Sequence, residues 1–347
     1  MNAQQENRLY PLKFRPIIKD KMWGGTRLRD FLNKKTKTSK AGESWEISCI
    51  PKDISVVCNG FLKGNALEEL IEVYMGDLVG DSVYEKYGLT FPLLIKFIDA
   101  NEALSIQVHP NDQLAEKRHQ SFGKTEMWYV IEAEKDAEII IGFSQSVDKT
   151  FYKSHLEKKS LHKILNREKA VPGDVFFLPA GRIHAIGAGI LLAEIQQTSD
   201  ITYRVFDFDR IDSSGKPREL HTELALDAID FTKHNDYKIR YEKQSDVSNR
   251  VISCPYFTTN YIELKKGIDK DYNDIDSFVV YMCVDGAFDL HYYEKDITAI
   301  HKGETVLLPA EIKTVRMVPK TSARILEIYV ETQSSEKRTS DVISKYF

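Results

Sequence analysis

The sequence predicts an all-β fold with small helical additions, organised as two tandem β-barrels. Most of the chain consists of short runs of β-branched and aromatic residues separated by Gly, Pro, Asn and Asp, a pattern typical of sandwiches and barrels. Helical patterns are confined to two short segments. A strand-and-turn motif also occurs twice, as GDVFFLP at 173–179 and as GETVLLP at 303–309, which indicates an internal repeat.

The two helical segments lie at about 65–88 and 219–231. In the first, Asn65 is expected to cap the helix N-terminus, with Glu68 three residues later as its partner in a capping box. The second covers TELALDAIDF, which follows His221. The rest of the chain is expected to form strands and turns.

A cluster of polar side chains able to bind a metal begins in the segment LSIQVHPND. Ser105, Gln107 and His109 alternate there with Ile106 and Val108. Because side chains alternate between the two faces of a strand, the three polar groups should share one face. The Pro, Asn and Asp that follow should end the strand in a turn, which leaves the imidazole at a rim.

Two further candidates also stand at predicted strand ends. Glu126 begins the apolar run MWYVI, and His184 follows the turn, strand and turn of GDVFFLPAGRI. Taken alone, each residue has an ordinary structural explanation, since histidines on strands are commonly structural. Together with His109 and Gln107 they offer two imidazoles, a carboxylate and an amide oxygen. That set suits zinc or another borderline divalent ion.

Longer blocks around these residues resemble a known family, the type I mannose-6-phosphate isomerases in their short bacterial form. The blocks are FPLLIKFIDANEALSIQVHPND, GKTEMWYVIEAE, PGDVFFLPAGRIHAIGAG and AEIQQTSDITYRVFDFDR, and they match in order and spacing. KDKMWGG and GESWEIS resemble the family's N-terminal blocks, so the likeness extends to about residue 235. The resemblance implies cupin barrels, one zinc ion per chain, and interconversion of mannose 6-phosphate and fructose 6-phosphate.

The same resemblance assigns roles to individual residues. It implies His109, Glu126, His184 and Gln107 as metal ligands and Arg204 as the catalytic arginine. Trp23 resembles a residue that lines the family's pocket. Further candidates for substrate binding, chosen as polar groups near the site, are Lys96, Ser105, Lys124 and Glu194.

The repeat predicts two domains, a metal-binding cupin domain at 1–235 and a cupin-like barrel at 236–347. A length of 347 residues also exceeds the usual size of one domain, which fits either two domains or one elaborated all-β unit. Aligning the two copies places Thr314 where His184 stands, and the first half of the second copy offers only His291. We therefore expect the second barrel to lack a metal site.

The segment from Ile190 to Phe208 carries a row of polar residues with one parity, which includes Glu194 and Arg204. A continuous strand would point this row to one side, although Ser199 and Asp200 are residues that break strands. A guanidinium has no lone pair for a metal, so we expect Arg204 to act electrostatically.

An aldose–ketose isomerase must remove a weakly acidic proton beside a carbonyl, form a cis-enediol and return the proton to the neighbouring carbon. A Lewis-acidic ion beside a fixed cation would stabilise the developing oxyanion. The sequence leaves the base open among Glu194, Asp200, Lys124 and a metal-bound water.

Two alternative functions remain at this stage: a metal-dependent cupin oxygenase and a non-catalytic sugar-sensing cupin. Two histidines and a carboxylate also suit the iron of an oxygenase. Arg204 in its long block, together with the predicted second barrel, favours the isomerase.

Composition excludes other classes of partner. The formal net charge is −4 with both signs interspersed, which argues against nucleic-acid binding. No apolar stretch approaches the roughly 20 residues of a membrane span, and MNAQQENRLYPLKF has no signal-peptide pattern, so a cytoplasmic protein is expected. The four cysteines form no CxxC pair, so reduced and mostly buried thiols are expected. The oligomeric state has no signal in the sequence.

Overall fold

A computed structural model describes residues 8–211 and 215–331. The helices are α1 (Arg27–Asp30), α2 (Leu67–Val79), α3 (Asp81–Tyr87), α4 (Asp112–His119), α5 (Lys149–Glu157) and α6 (Thr222–Ala228), with a 3-10 turn at Leu161–Lys163. The strands of the first part are β1 (Leu12–Lys13), β2 (Ile17–Gly25), β3 (Ala41–Ile47), β4 (Cys49–Ile50), β5 (Asp53–Ile54), β6 (Leu93–Ala100), β7 (Ile106–Val108), β8 (Glu126–Ala133), β9 (Glu138–Phe143), β10 (Leu165–Lys169), β11 (Val175–Leu178), β12 (His184–Ile186), β13 (Ile190–Gln197) and β14 (Tyr203–Phe206). Those of the second part are β15 (Asn249–Ser253), β16 (Thr258–Leu264), β17 (Ile268–Asp271), β18 (Val279–Tyr292), β19 (Asp296–His301), β20 (Thr305–Leu308) and β21 (Thr314–Tyr329).

Three large antiparallel sheets organise these strands. Sheet I has the order β11-β8-β13-β6-β3-β2, and sheet II has the order β10-β9-β12-β7-β14. Sheet III has the order β1-β20-β18-β21-β16-β15, with β17 beside β21 and β19 beside β18, and β4-β5 is a separate two-stranded ribbon. The predicted all-β class with small helical additions is confirmed. No helix in the described ranges is long and apolar enough to cross a membrane.

Sheet I lies between the other two sheets and supplies apolar side chains to both of its faces. Along β13, Ile190 and Leu192 pack with residues of sheet II, such as Ile139 and Ile186. The alternate residues of β13 pack into a different core that includes Val280 and other residues of sheet III. This alternation follows from the two-residue period of a strand. Because both faces are covered, β13 is buried along its whole length.

The two predicted domains share structure at their junction. Strand β1, near the N-terminus, pairs with β20, so Leu12 lies opposite Leu307 in sheet III. Helix α2 also touches the second part, because the backbone N–H of Phe278 donates to the carbonyl of Val79. The division at residue 235 stays a prediction.

The predicted helix cap at Asn65 is wrong by one residue. The cap residue of α2 is Ala66, whose backbone N–H donates to the Glu69 carboxylate at 2.8 Å, and the Asn65 side chain donates instead to the carbonyl of Leu62. Alanine has no side-chain acceptor, so only half of a capping box forms. The predicted segment 65–88 is divided into α2 and α3 at Gly80, whose φ of +94° suits glycine. The helix predicted at 219–231 is shorter than expected and corresponds to α6.

Two further helices of two or more turns, α4 and α5, were not predicted. Asn111 was expected to make a simple turn, but its side chain accepts from the N–H of Leu114 and caps α4. Asp148 caps α5 in the same way by accepting from Phe151. Both caps are residues that favour helix starts, and neither is followed by a clear apolar stripe. Helix α4 begins three residues after His109 and therefore borders the candidate site.

The two parts of the chain each place a glutamate between two partner strands in a similar register. On β13, Glu194 lies between Lys96 of β6 and Trp128 of β8. On β21, Glu327 lies in the same way between Asn260 of β16 and Tyr281 of β18. Val279 stands two residues before Tyr281, as Glu126 stands two residues before Trp128. The two parts of the chain thus share this pattern of strand pairing, while the predicted repeat and the tandem arrangement of barrels stay predictions.

Glu327 is the centre of a buried polar network in sheet III. Its carboxylate accepts hydrogen bonds from Asn260 (2.8 Å), Ser248 (2.7 Å) and Tyr272 (2.5 Å), and the Lys270 ammonium lies 2.9 Å away. Burial would raise the pKa of Glu327, but Lys270 and these donors hold it below its usual range. The folded protein therefore keeps an ionised carboxylate in its interior.

We expect Glu327→Gln to lower the free energy of unfolding by about 3 to 5 kcal/mol, because it leaves Lys270 without its buried counter-charge. Urea denaturation at pH 7 measures the change. Glu263→Gln, at a more exposed carboxylate on β16, is the control and should cost less than about 1 kcal/mol. Since folding lowers the pKa of Glu327, its contribution is lost as pH falls through the folded-state pKa, and the difference between the wild type and Glu327→Gln should shrink in acid.

Candidate metal centre and active-site cleft

Three predicted residues form one row across sheet II. His184, the first residue of β12, lies opposite Gln107 of β7, and Gln107 lies opposite Arg204 of β14. His109 follows the end of β7, where Pro110 stops the strand. Glu126 begins β8, so it belongs to sheet I. The candidate metal centre is therefore assembled from two facing sheets.

His109, Glu126 and His184 meet in the interior with their ligand atoms within 4.8 Å of one another. Nε2 of His109 lies 3.6 Å from Oε2 of Glu126, and Nε2 of His184 lies 3.3 Å from Oε1. All three side chains are at most 2% exposed. We call these residues the buried triad.

The outer nitrogens of both imidazoles are held by backbone carbonyls. Nδ1 of His109 donates to Ile201 at 2.9 Å, and Nδ1 of His184 donates to Arg182 at 2.8 Å. This leaves the lone pair of each Nε2 directed toward Glu126. Among the described residues, neither Nε2 nor Oε1 of Glu126 has a hydrogen-bond partner, whereas Oε2 of Glu126 is contacted by the Lys124 ammonium at 3.2 Å. Three unpartnered buried atoms are costly unless something binds them, and the donor set of the triad fits a divalent ion.

The electrostatics of the triad favour neutral imidazoles. Burial lowers the pKa of His184 to about 3 and lowers that of His109 well below its ordinary value. Burial also raises the pKa of Glu126 to about 7, although the Lys124 ammonium 3.2 Å away opposes the shift. Both imidazoles are therefore unprotonated at neutral pH, which is the form that binds metals.

A cleft of about 460 Å³ opens beside the triad. Lys124, which contacts Glu126, is one of the residues that line it. The structure brings seven of the predicted site residues to this cleft: Trp23, Lys96, Ser105, Gln107, Lys124, Glu194 and Arg204. Asp200, weighed as a base, also lines it.

Comparison with known proteins identifies the family. Residues 11–154 match the model of the phosphomannose isomerase type I catalytic domain. Over 254 residues the chain is 41% identical to mannose-6-phosphate isomerase ManA of Bacillus subtilis, an alignment that covers 72% of this chain and 78% of that one. The chain belongs to the type I phosphomannose isomerase family. The predicted resemblance is thus confirmed, and so is the assignment as an aldose–ketose isomerase.

Further comparisons cover nearly the whole chain. A mannose-6-phosphate isomerase of Streptococcus mutans is 34% identical over 305 residues, which is 88% of this chain and 94% of the relative. The crystal structure of the mannose 6-phosphate isomerase from Bacillus subtilis superposes with a TM-score of 0.84 at 33% identity, covering 93% of this chain and all of that one. The fold therefore agrees with that of a solved family member over both predicted domains.

A buried ion pair stands in the cleft of this isomerase. Nζ of Lys96 donates to Glu194 at 2.8 Å and to Gln196 at 2.6 Å, while Nε1 of Trp128 donates to the other oxygen of Glu194 at 2.8 Å. Burial would raise the pKa of Glu194, but Lys96 and Lys124 lower it to about 2. Glu194 is thus a fixed carboxylate with both oxygens engaged, which makes it a weak proton acceptor at neutral pH.

Arg204 reaches the cleft from a different strand than Glu194. Strand β13 ends at Gln197 in sheet I, and after the break around Ser199 the chain re-enters sheet II as β14. Glu194 and Arg204 therefore lie on two strands of different sheets and not on one continuous strand, and both side chains line the cleft. Arg204 is half-buried, donates from Nη1 to the carbonyl of Glu219 at 2.8 Å, and has no described hydrogen-bond partner at Nε.

Several residues of the cleft were not singled out from the sequence. Glu43 accepts from Nε1 of Trp45 at 2.7 Å and pairs with Lys21 at 3.1 Å. All three belong to KDKMWGG and GESWEIS, blocks that carried the family likeness without indicating which side chains face inward. The remaining ones are the polar residues Lys19, Asp53, Thr202 and Arg218 and the apolar residues Ile98, Leu104 and Ile186. Arg218 comes from the segment after β14, and no local pattern marks it.

Proposed function

We propose that this chain interconverts mannose 6-phosphate and fructose 6-phosphate through a cis-enediol, with a divalent metal ion held by His109, Glu126 and His184. The observation that carries the proposal is the buried triad, in which both Nε2 atoms and Oε1 of Glu126 lack hydrogen-bond partners among the described residues. The names of the curated relatives from Bacillus subtilis and Streptococcus mutans support the substrate.

The proposed ion is zinc, one per chain. Gln107 is proposed as a further ligand because its register places it beside His184 and it lines the cleft. The ion would act as a Lewis acid toward an oxygen of the bound sugar. The histidines contribute neutral nitrogens whose orientation is set by the carbonyls of Ile201 and Arg182.

The charge of the cleft suits a phosphorylated sugar. Six lining side chains are cationic and four are anionic, so the net charge is +2: Lys19, Lys21, Lys96, Lys124, Arg204 and Arg218 against Glu43, Asp53, Glu194 and Asp200. Lys96, Ser105 and Lys124 are the proposed phosphate contacts, with Trp23 and Glu194 as neighbouring walls. A sugar-phosphate dianion would balance this excess of positive charge.

Arg204 is proposed to stabilise the negative charge that develops on the substrate as the proton leaves. Its Nε has no described partner, and the guanidinium lines the same cleft as Lys124 and Gln107. A fixed cation of this kind acts strongly where water is excluded. For the proton transfer itself, the engagement of Glu194 with Lys96 and Trp128 favours Asp200, Lys124 or a bound water over Glu194.

A coupled assay tests the proposal. Purified protein is given mannose 6-phosphate, and fructose 6-phosphate is followed before chelation, after chelation and after zinc is restored. Zinc-reversible turnover is the expected result. Stoichiometric iron with oxygen consumption would instead favour an oxygenase, and sugar-phosphate binding without turnover in folded, zinc-loaded protein would favour a sensor. A cytoplasmic protein without nucleic-acid or membrane partners stays a prediction.

The loop that carries Lys124 and leads into Glu126 is tied to sheet III through Asp112. Oδ1 of Asp112 accepts from the N–H of Gly123 at 2.8 Å and from Gln197 at 2.9 Å, and Oδ2 accepts from the hydroxyl of Tyr256 at 2.6 Å. Tyr256 lies in the turn between β15 and β16. The second part of the chain thus helps to place a loop of the active-site cleft.

We expect Tyr256→Phe to lower kcat about tenfold with little change in KM or zinc content, because a freed Asp112 holds the loop less tightly. Tyr241→Phe is the matched control, since it also removes one tyrosine hydroxyl, which donates to the carbonyl of Gly173 in the turn before β11. Steady-state kinetics and metal analysis measure both variants. Equal effects of the two substitutions on kcat would contradict a positioning role for Tyr256.

A further inference from the structure

A second cleft, of about 820 Å³, lies where the N-terminal segment meets sheet III. Its walls come from the segment around Lys13–Ile18, the turn after α1, and the turn between β19 and β20. It shares no lining residue with the active-site cleft. We call it the junction cleft.

The junction cleft is strongly basic in a chain whose formal net charge is −4. Five of its lining side chains are cationic and two are anionic, which makes a local charge of +3 with histidine neutral. The cations are Lys13, Arg15, Lys34, Lys35 and Lys302, and the carboxylates are Glu46 and Glu304. Such a concentration of one sign raises the local concentration of anions.

Both carboxylates are already neutralised. Lys34 lies 2.6 Å from Glu46 in a buried pair, and Lys13 lies 2.8 Å from Glu304. The other three cations, Arg15, Lys35 and Lys302, form no ion pair with the described residues. The surplus charge is therefore available to a ligand.

Two of the five cationic side chains of the junction cleft, Lys302 and Lys13, are held in place by contacts within the protein. The Lys302 ammonium lies 4.0 Å from the centroid of the Phe31 ring, a cation–π contact that restrains the long side chain. Lys13 also donates to the carbonyl of Ala299, so it is fixed between Glu304 and the backbone. Pre-ordered cations lose less conformational entropy when an anion binds.

Thr305 provides an independent sign of a ligand. It lines the junction cleft, is 6% exposed, and its hydroxyl has no hydrogen-bond partner among the described residues. A buried hydroxyl without a partner costs on the order of 1 to 3 kcal/mol, which a ligand oxygen would recover. The junction cleft also has apolar lining residues, which suit a flat or apolar group of a ligand: Phe14, Pro16, Ile18 and Leu32.

We propose that the junction cleft binds a nucleoside polyphosphate. The three unpaired cations and the Thr305 hydroxyl suit a chain of phosphates, and the apolar residues suit a nucleobase. Its volume of about 820 Å³ exceeds the 460 Å³ of the active-site cleft, which points to a ligand larger than a sugar monophosphate. The proposal does not depend on the isomerase reaction.

Isothermal titration of the zinc-loaded, full-length protein with ATP tests the proposal. Mg²⁺ in excess keeps the nucleotide from stripping zinc, and saturating mannose 6-phosphate occupies the active-site cleft. We expect binding that persists under these conditions, that weakens at least tenfold in Arg15→Glu/Lys302→Glu, and that weakens several-fold in Thr305→Val. Inorganic tripolyphosphate should bind more weakly than ATP, because it lacks the nucleoside.

The control is Arg240→Glu/Lys233→Glu, which reverses two exposed charges outside the cleft and should bind ATP as the wild type does. Circular dichroism and isomerase turnover show whether each variant is folded. Absence of ATP binding, loss of binding under mannose 6-phosphate, or equal binding by both double variants would overturn the proposal. Equal affinity for tripolyphosphate and ATP would overturn the nucleoside assignment.

Discussion

His184→Ala is expected to remove most of the proposed zinc and to lower kcat/KM at least about a thousandfold, equivalent to roughly 4 kcal/mol of transition-state stabilisation. His184 supplies one of the two imidazole nitrogens of the buried triad, 3.3 Å from Glu126. A water could fill the space left by the ring, but it would not be held by the carbonyl of Arg182 in the same orientation. Metal analysis after gel filtration, together with the coupled assay, measures both effects.

The matched control is His162→Ala, which removes an exposed histidine that lies outside the triad. It should keep both zinc and turnover. Because a buried substitution also costs stability, circular dichroism must show that His184→Ala is folded before its activity is interpreted. Full activity in folded, metal-stripped His184→Ala would mean that His184 is not a ligand the reaction needs.

The parts of the site that the sequence could predict are those with local signatures. A strand of alternating polarity ended by a proline placed Gln107 and His109 together, and a turn, a strand and a second turn placed His184 at a strand end. Each pattern spans fewer than about 15 residues, so the chemistry of the neighbouring residues determines it. His109 and His184 do meet in the structure, together with Glu126, and Gln107 lies opposite His184 in sheet II.

The polar row from Glu194 to Arg204 is a feature whose strand pairing could not be predicted from local sequence patterns. Parity alone predicted one strand, whereas the break near Ser199 sends β14 to the opposite sheet. Both side chains still line one cleft, because sheets I and II face each other across it. Which sheet a strand joins depends on pairing partners roughly 100 residues away in the chain, and a single sequence does not contain that information in any short window.

The errors at helix starts have a related cause. Asn65 and Glu68 form a plausible capping box, yet the adjacent pair of Ala66 and Glu69 is used. The choice is made by tertiary packing, since Leu67, Leu70 and Ile71 turn their side chains into the core between sheets I and III. A shift of one residue would rotate that apolar stripe by about 100° away from the core. Burial of a whole stripe outweighs the roughly 1 kcal/mol that a better cap contributes.

Sheet I fixes the relative positions of residues of the candidate site that come from different segments of the chain. Its central strands β13 and β6 are covered on both faces, and they hold the Lys96 and Glu194 pair in register. Sheet II then brings His184, Gln107 and Arg204 into one row facing the cleft. The polar groups of the cleft are thus set by two packed sheets before a substrate enters, which is the condition for electrostatic stabilisation of a transition state.

Arg204→Ala is expected to keep zinc and to lower kcat about 100- to 1,000-fold, the range found when one charge-stabilising group is removed from a preorganised site. The reason is the position of the guanidinium: it lines the cleft, its Nε has no described partner, and its Nη1 is anchored on the carbonyl of Glu219. A group aimed at charge that develops only during the reaction should affect kcat more than KM. Metal analysis and steady-state kinetics on mannose 6-phosphate measure the two effects separately.

Arg204→Lys and Arg118→Ala complete the test. Lysine keeps the charge without the planar fork of donors, so it should recover only part of the lost kcat. Arg118, like Arg204, donates to a backbone carbonyl, that of Leu224, and it also bonds with Asp227 and Tyr203. It does not line the cleft, so its removal should leave kcat within about twofold of the wild type. Loss of zinc from folded Arg204→Ala would show instead that the arginine supports the metal centre, because the guanidinium itself offers no lone pair to a metal.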